Sequence, residues 1–121
     1  MTRTFTVVLG VVLLLVGICG FVLNPGGGLL LGIFMIDSTH NLIHVVSGIA
    51  GIAMAMMGAS KLYCQIFGAV YLLVGIGGLA MAAPDGMLLG LIHVNGADNI
   101  LHLAIGAGAS YFGFMTETAK A

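Results

Sequence analysis

The sequence predicts an all-α integral membrane protein, a four-helix bundle made of two parallel two-helix repeats. Three observations carry this. The chain of 121 residues is 60% hydrophobic and only 6% charged, whereas a soluble domain carries roughly a quarter charged residues. Its apolar residues gather into four runs, about 5–23, 41–58, 62–83 and 99–115, and each is close to the ~20 residues (range ~17–25) that cross a ~30 Å hydrocarbon layer as a helix. The sequence also repeats itself without a gap at an offset of 58.

The first run follows Arg3, which gives it the look of a secretory signal. No small-x-small cleavage site follows it, however, and Ile18 before Cys19 does not suit a lipoprotein site. It reads as a retained helix, because it has a counterpart deep inside the chain. Asn24-Pro25-Gly26-Gly27-Gly28 ends this helix, and Ala83-Pro84-Asp85-Gly86 ends the third, both with turn chemistry. Each turn leads into a short apolar piece, 29–36 and 87–94. Such pieces are too short to span, and are expected in the interface or folded over the bundle mouth. Asp37, Ser38 and Thr39 offer N-caps for the second helix, and Asn95 or Asp98 for the fourth. In lipid a spanning segment must satisfy its own backbone, so all four runs are expected to be helical.

The repeat is explicit. Leu14-Leu15-Val16-Gly17-Ile18-Cys19-Gly20 matches Leu72-Leu73-Val74-Gly75-Ile76-Gly77-Gly78, and Gly28-Leu29-Leu30-Leu31-Gly32 matches Gly86-Met87-Leu88-Leu89-Gly90. Asn41-Leu42-Ile43-His44 matches Asn99-Ile100-Leu101-His102, with Gly48 opposite Gly106. One transmembrane domain, 1–121, is expected, with repeats at about 5–60 and 62–118. Two spans per repeat give both copies the same orientation, related by a pseudo-twofold axis along the membrane normal. Arg3, Lys61 and Lys120 fall on one side of the four-pass topology, and Asp37, Asp85 and Asp98 on the other. The positive-inside rule then places both termini in the cytoplasm.

Composition excludes several functions. A net charge of −1 with three basic residues leaves no electrostatic footprint for nucleic acid. The glycines lack a basic companion and read as helix-packing positions, Gly17, Gly48, Gly51, Gly75 and Gly106 among them, rather than as a phosphate cradle. Cys19 and Cys64 are expected at opposite faces, beyond disulfide reach, and neither has zinc-finger spacing. Met54, Met56 and Met57 read as gap fillers, and Tyr63, Tyr71 and Tyr111 include at least one interface anchor. No nucleophile stands beside a base and an orienting carboxylate, so no enzyme is expected. Polarity stops in the outer half, which disfavours a channel.

The chemistry-bearing residues are four histidines, His40, His44, His93 and His102, all in the outer half. His40, His44, Ser47, Gly48, Gly51, Ala55 and Gly58 share one face of the second helix, and Asp98, His102, Gly106, Ala109 and Gly113 one face of the fourth. Ionisable groups inside spans mark functional sites by default. His44 and His102 can be read as paired ligands on the axis for a b-type haem, a metal, a quinone or a pigment, with Gly48 and Gly106 making room for a flat ring. His40, His93, Asn41, Asn99 and Asp98 would support such a site. The alternative is neutral imidazoles hydrogen-bonded across helices to Asn41, Asn99, Asp98 and backbone carbonyls.

Gly17-Ile18-Cys19-Gly20-Phe21, His40-Asn41-Leu42-Ile43-His44 with Gly48, and Asp98-Asn99-Ile100-Leu101-His102 with Gly106 resemble a bacterial family, domain of unknown function 4383. The likeness runs from about 5 to 115. It implies a small four-pass inner-membrane protein and supplies no activity, substrate or catalytic residue. The expected role is therefore a non-enzymatic, self-associating or accessory subunit of a larger membrane assembly, whose partners are lipid and other membrane chains.

Overall fold

A computed structural model of the chain describes residues 1–81 and 86–116. It is mostly helical, with four α-helices joined in series: α1 (Thr2–Leu23), α2 (Ser38–Met56), α3 (Ser60–Met81) and α4 (Gly96–Ser110). Three of them, α1, α2 and α3, are long and apolar enough to cross a membrane. A single π-helical turn, Tyr111–Met115, continues α4. Its loosened ladder is caught from α3, where Gln65 Nε2 donates to the Gly113 carbonyl at 2.9 Å and Lys61 Nζ to the Thr116 carbonyl at 2.5 Å. The turn at Ala83-Pro84-Asp85 and Lys120 lie outside the described residues.

Helix ends follow their local chemistry. Asp37 is the N-cap of α2, and its Oδ1 accepts the His40 N–H at 2.7 Å. Asn95 caps α4 in a capping box with Asp98, each side chain accepting the other's backbone N–H, at 2.9 and 3.0 Å. Past α2, Gly58 adopts φ +78° and the Ala59 N–H reaches back to the Met54 carbonyl at 2.7 Å, a Schellman closure that needs glycine. Gly58 is thus an exposed turn residue and leaves the α2 stripe on which its spacing had placed it.

The all-helical expectation needs one correction. The two short apolar pieces are β-hairpins: β1 (Gly28–Leu30) pairs with β2 (Phe34–Ile36), and β3 (Met87–Leu88) with β4 (Ile92–His93), both antiparallel. Each turns through a leucine in the left-handed region, Leu31 at φ 55° and Leu89 at φ 54°, followed by Gly32 or Gly90 at φ 71° or 67°. Each turn is closed by a bond from Ile33 N–H to the Leu30 carbonyl, or from Leu91 N–H to Leu88, at 3.1 and 3.0 Å. Leu30, Ile36, Leu88 and Ile92 are buried, so the hairpins fold inward.

α1 packs on α2 and α3 on α4 through close backbone approach. A Cβ added at Gly48 would lie 2.6 Å from the Gly10 carbonyl oxygen and 2.5 Å from Leu14 N, and one at Gly106 2.5 Å from Leu72 N. Small residues at such crossings let helices gain dispersion contact without a hydrophobic driving force. Between the pairs lies the apolar core: Leu9, Leu13, Tyr63, Cys64, Tyr71 and Ala109. Tyr63 is fully buried, and its hydroxyl donates to the Ser47 carbonyl at 2.8 Å. Tyr111, by contrast, is more than half exposed. Both cysteines are free, Cys19 exposed and Cys64 buried.

Candidate functional site

The site lies at the hairpin end of the bundle, where α2 and α4 begin. Two helix-capping side chains, a carboxylate and a carboxamide, hold that end together across the two halves. Asp37, already capping α2, uses Oδ2 to accept the His93 N–H of β4 at 2.9 Å. Asn95, the cap of α4, donates through Nδ2 to the Ile33 carbonyl of the first hairpin at 2.9 Å. Each helix cap therefore binds the other half's hairpin, which fixes where the helix starts and so where the following turn points.

That turn carries the histidines. His40 and His44 are one turn apart on α2, and His102 comes from α4. All three are buried, at 1%, 3% and 1% exposure. Their rings converge, with centroids 4.5 Å apart for His40 and His44, 5.3 Å for His40 and His102, and 5.9 Å for His44 and His102. One ligand nitrogen from each lies within 4.8 Å of the others. His40 Nε2 and His102 Nε2 are 3.4 Å apart. His40 Nδ1 stands 3.1 Å from the His93 carbonyl. A carbonyl only accepts, so Nδ1 carries the proton and Nε2 the lone pair.

The remaining nitrogens define the site's chemistry. Both nitrogens of His44, and Nδ1 of His102, have no hydrogen-bond partner among the described residues. A buried polar group left this way costs about 1–3 kcal/mol, and His44 carries two. Asn41 and Asn99, expected as partners, instead face α1 and α3. Their side-chain amides occupy the space where a Cβ at Gly20 or Gly78 would stand, and the Oδ1 of each is likewise unpartnered. Asp98 is held in the capping box, and the half-buried His93 contributes its backbone to the cluster while its ring lies over Gly86. The role of His40 is the part that spacing alone missed: it is a full member of the cluster.

A haem held between His44 and His102 does not fit this arrangement. The three centroid distances place the His40 ring about 4 Å from the midpoint of the other two and close to their midplane. A pyrrole ring of the macrocycle would have to occupy that position. Nor do Gly48 and Gly106 leave a slot, since the backbones of α1 at Leu14 and α3 at Leu72 already fill it. The donor set suits a single ion.

The model for "Domain of unknown function (DUF4383)" matches residues 3–115. The chain belongs to the DUF4383 family. Neither the curated proteins nor the solved structures yielded a match. The DUF4383 match takes in all three buried histidines, both hairpins and both capping residues. A separate cleft of about 150 Å³ in this DUF4383 chain, lined by Ile43, Val74, Leu88, Leu89, Leu91 and Ile92, is wholly aliphatic and offers no polar anchor.

Proposed function

We propose that this DUF4383 protein is a four-pass protein of the bacterial plasma membrane with both termini cytoplasmic, and that it acts through lateral contact rather than catalysis. In this reading it is a self-associating unit or an accessory subunit of a larger membrane assembly. The observation that carries it is the division of the surface. The helix flanks present large apolar groups such as Val12, Leu15, Val46, Leu73 and Ile100, whereas the histidines, Asn41, Asn99 and Asp98 turn inward. Between the helices, the described residues add only two short hairpins and the Gly58 turn. Such a body meets its neighbours in the plane of the membrane.

The fourth pass is supported by continuity. α4 and the π-turn run without a break from 96 to 115, long enough for about 30 Å at 1.5 Å per residue. Twofold repetition is supported by devices that recur at an offset of 58: the left-handed leucines 31 and 89, the caps Asp37 and Asn95, and the crossings Gly48 and Gly106. Two equivalent residues also meet. Thr6 Oγ1 donates to the Thr2 carbonyl at 2.8 Å, so the contact of 3.2 Å between Thr6 and Cys64 is an S–H donating to the hydroxyl. Arg3 and Lys61 lie at the end opposite the hairpins, the arrangement expected for a cytoplasmic face.

Purification in mild detergent followed by native mass spectrometry and in-membrane cross-linking tests the role. A defined homo-oligomer or a stoichiometric complex is expected. A monomer that keeps full stability in both detergent and lipid nanodiscs would overturn it.

A further inference from the structure

We propose that His40, His44 and His102 form a binding site for one late first-row transition-metal ion, Zn²⁺ or copper, through three imidazole nitrogens. The site is independent of how the protein associates. Its donors come from two helices and are buried, and one nitrogen from each lies within 4.8 Å of the others. The closest pair, His40 Nε2 and His102 Nε2, is separated by 3.4 Å. That is the edge of a tetrahedron whose centre lies about 2.0–2.1 Å from each nitrogen, the usual zinc–imidazole distance. The 4.8 Å spread of the three donors exceeds that edge by about 1.4 Å, a gap that rotation about side-chain bonds closes.

Three further features point to an ion. First, His40 is oriented as metal-binding histidines are: its far nitrogen donates to the His93 carbonyl, which fixes the tautomer and turns the Nε2 lone pair toward His102 Nε2, whose N–H an ion would displace. Second, His44 is buried with neither nitrogen hydrogen-bonded among the described residues, a state that a structural packing role leaves unexplained and coordination relieves. Third, the charges suit a dication. Asp37 caps the turn that carries His40, and Asp98 lies one turn before His102 on α4, while the described basic residues Arg3 and Lys61 are at the other end of the helices. Neutral imidazoles with carboxylates close by are what a buried cation requires. An all-nitrogen donor set selects zinc, copper or nickel over calcium or magnesium, which take oxygen.

The test uses the full chain, purified in detergent and stripped with chelator, then offered Zn²⁺, Cu²⁺ or Mg²⁺ alone, with bound metal counted by elemental analysis. One equivalent of Zn²⁺ or Cu²⁺ per chain and no Mg²⁺ is expected, and the two arms tell zinc from copper. His44→Ala and His102→Ala should weaken binding by at least about 100-fold, beyond what loss of an outer partner usually costs. Leu73→Ala, on the exposed flank of α3, should retain it. Helicity by circular dichroism accompanies each variant. Where a variant does not fold, Co²⁺ added to the wild type carries the test, since nitrogen ligation gives visible d–d bands. Metal bound equally by wild type and a folded His44→Ala/His102→Ala variant, binding lost with Leu73→Ala, or a featureless Co²⁺ spectrum would each overturn the proposal.

Discussion

Gly48→Ala is the sharpest perturbation of the helix packing. The added methyl would lie 2.5 Å from Leu14 N, 2.6 Å from the Gly10 carbonyl oxygen and 2.8 Å from Leu14 Cα, whereas favourable contacts begin near 3.5 Å. All three neighbours are backbone atoms of α1, so no rotamer change relieves them. The helix must retreat by about 1 Å, and a gap of that size forfeits a quarter to a half of each contact it opens. Gly17, two turns along on α1, packs against the Asn41 carbonyl and Val45, so those contacts loosen as well. Overpacking of this kind costs up to about 3 kcal/mol. Alanine returns about 1 kcal/mol of helix propensity. The net loss is about 2 kcal/mol, roughly 30-fold in the unfolding equilibrium. Gly96→Ala is the control, since nothing lies within 4 Å of a methyl there. SDS titration in mild detergent micelles, followed by far-ultraviolet circular dichroism, measures both. A Gly48→Ala protein as stable as Gly96→Ala would refute the close-approach reasoning.

Two further substitutions probe the hairpin end. Asp37→Ala removes the α2 cap and strands the His93 N–H. The same titration should show a loss of about 2–4 kcal/mol, and Asp37→Asn should restore only the share due to the cap. Leu31→Asn and Leu89→Asn place at φ 55° and 54° a residue that tolerates the left-handed region. Each should gain about 0.5–1 kcal/mol, part of the ~1–2 kcal/mol that this conformation costs an ordinary side chain, and a loss of stability would contradict the assigned turn.

The parts of the fold that were legible in the sequence are those with local causes. Run length and apolarity placed the long helices within a few residues of α1, α2 and α3, because a helix in lipid is specified by its own composition. Cap chemistry narrowed the start of α2 to Asp37, Ser38 or Thr39 and of α4 to Asn95 or Asp98, and the caps are Asp37 and Asn95. The hairpins were not legible. Their turns use Leu-Gly where the usual signal is Asn-Gly or Asp-Gly, so Gly28-Leu29-Leu30-Leu31-Gly32 reads as an apolar piece of unspecified shape. The site was half legible. Spacing put His40 and His44 on one face, and the match of His44 with His102 suggested a symmetric pair. His40 stood outside that symmetry because Asp98 occupies the position 58 residues later. Only the separation of α2 and α4 shows that His102 reaches both rings, and helix separation depends on glycine crossings distant in sequence.

The central claim, a membrane-spanning bundle whose hairpins and histidine cluster face outward, is tested most directly by cysteine labelling in intact cells. With Cys19 and Cys64 replaced by alanine, single cysteines are introduced by Ile33→Cys and Leu91→Cys at the hairpins and by Lys61→Cys at the opposite end. A membrane-impermeant maleimide should label the two hairpin positions from outside, and position 61 only after the membrane is opened. Labelling of position 61 in intact cells with the hairpins protected, or equal labelling of all three, would contradict the account.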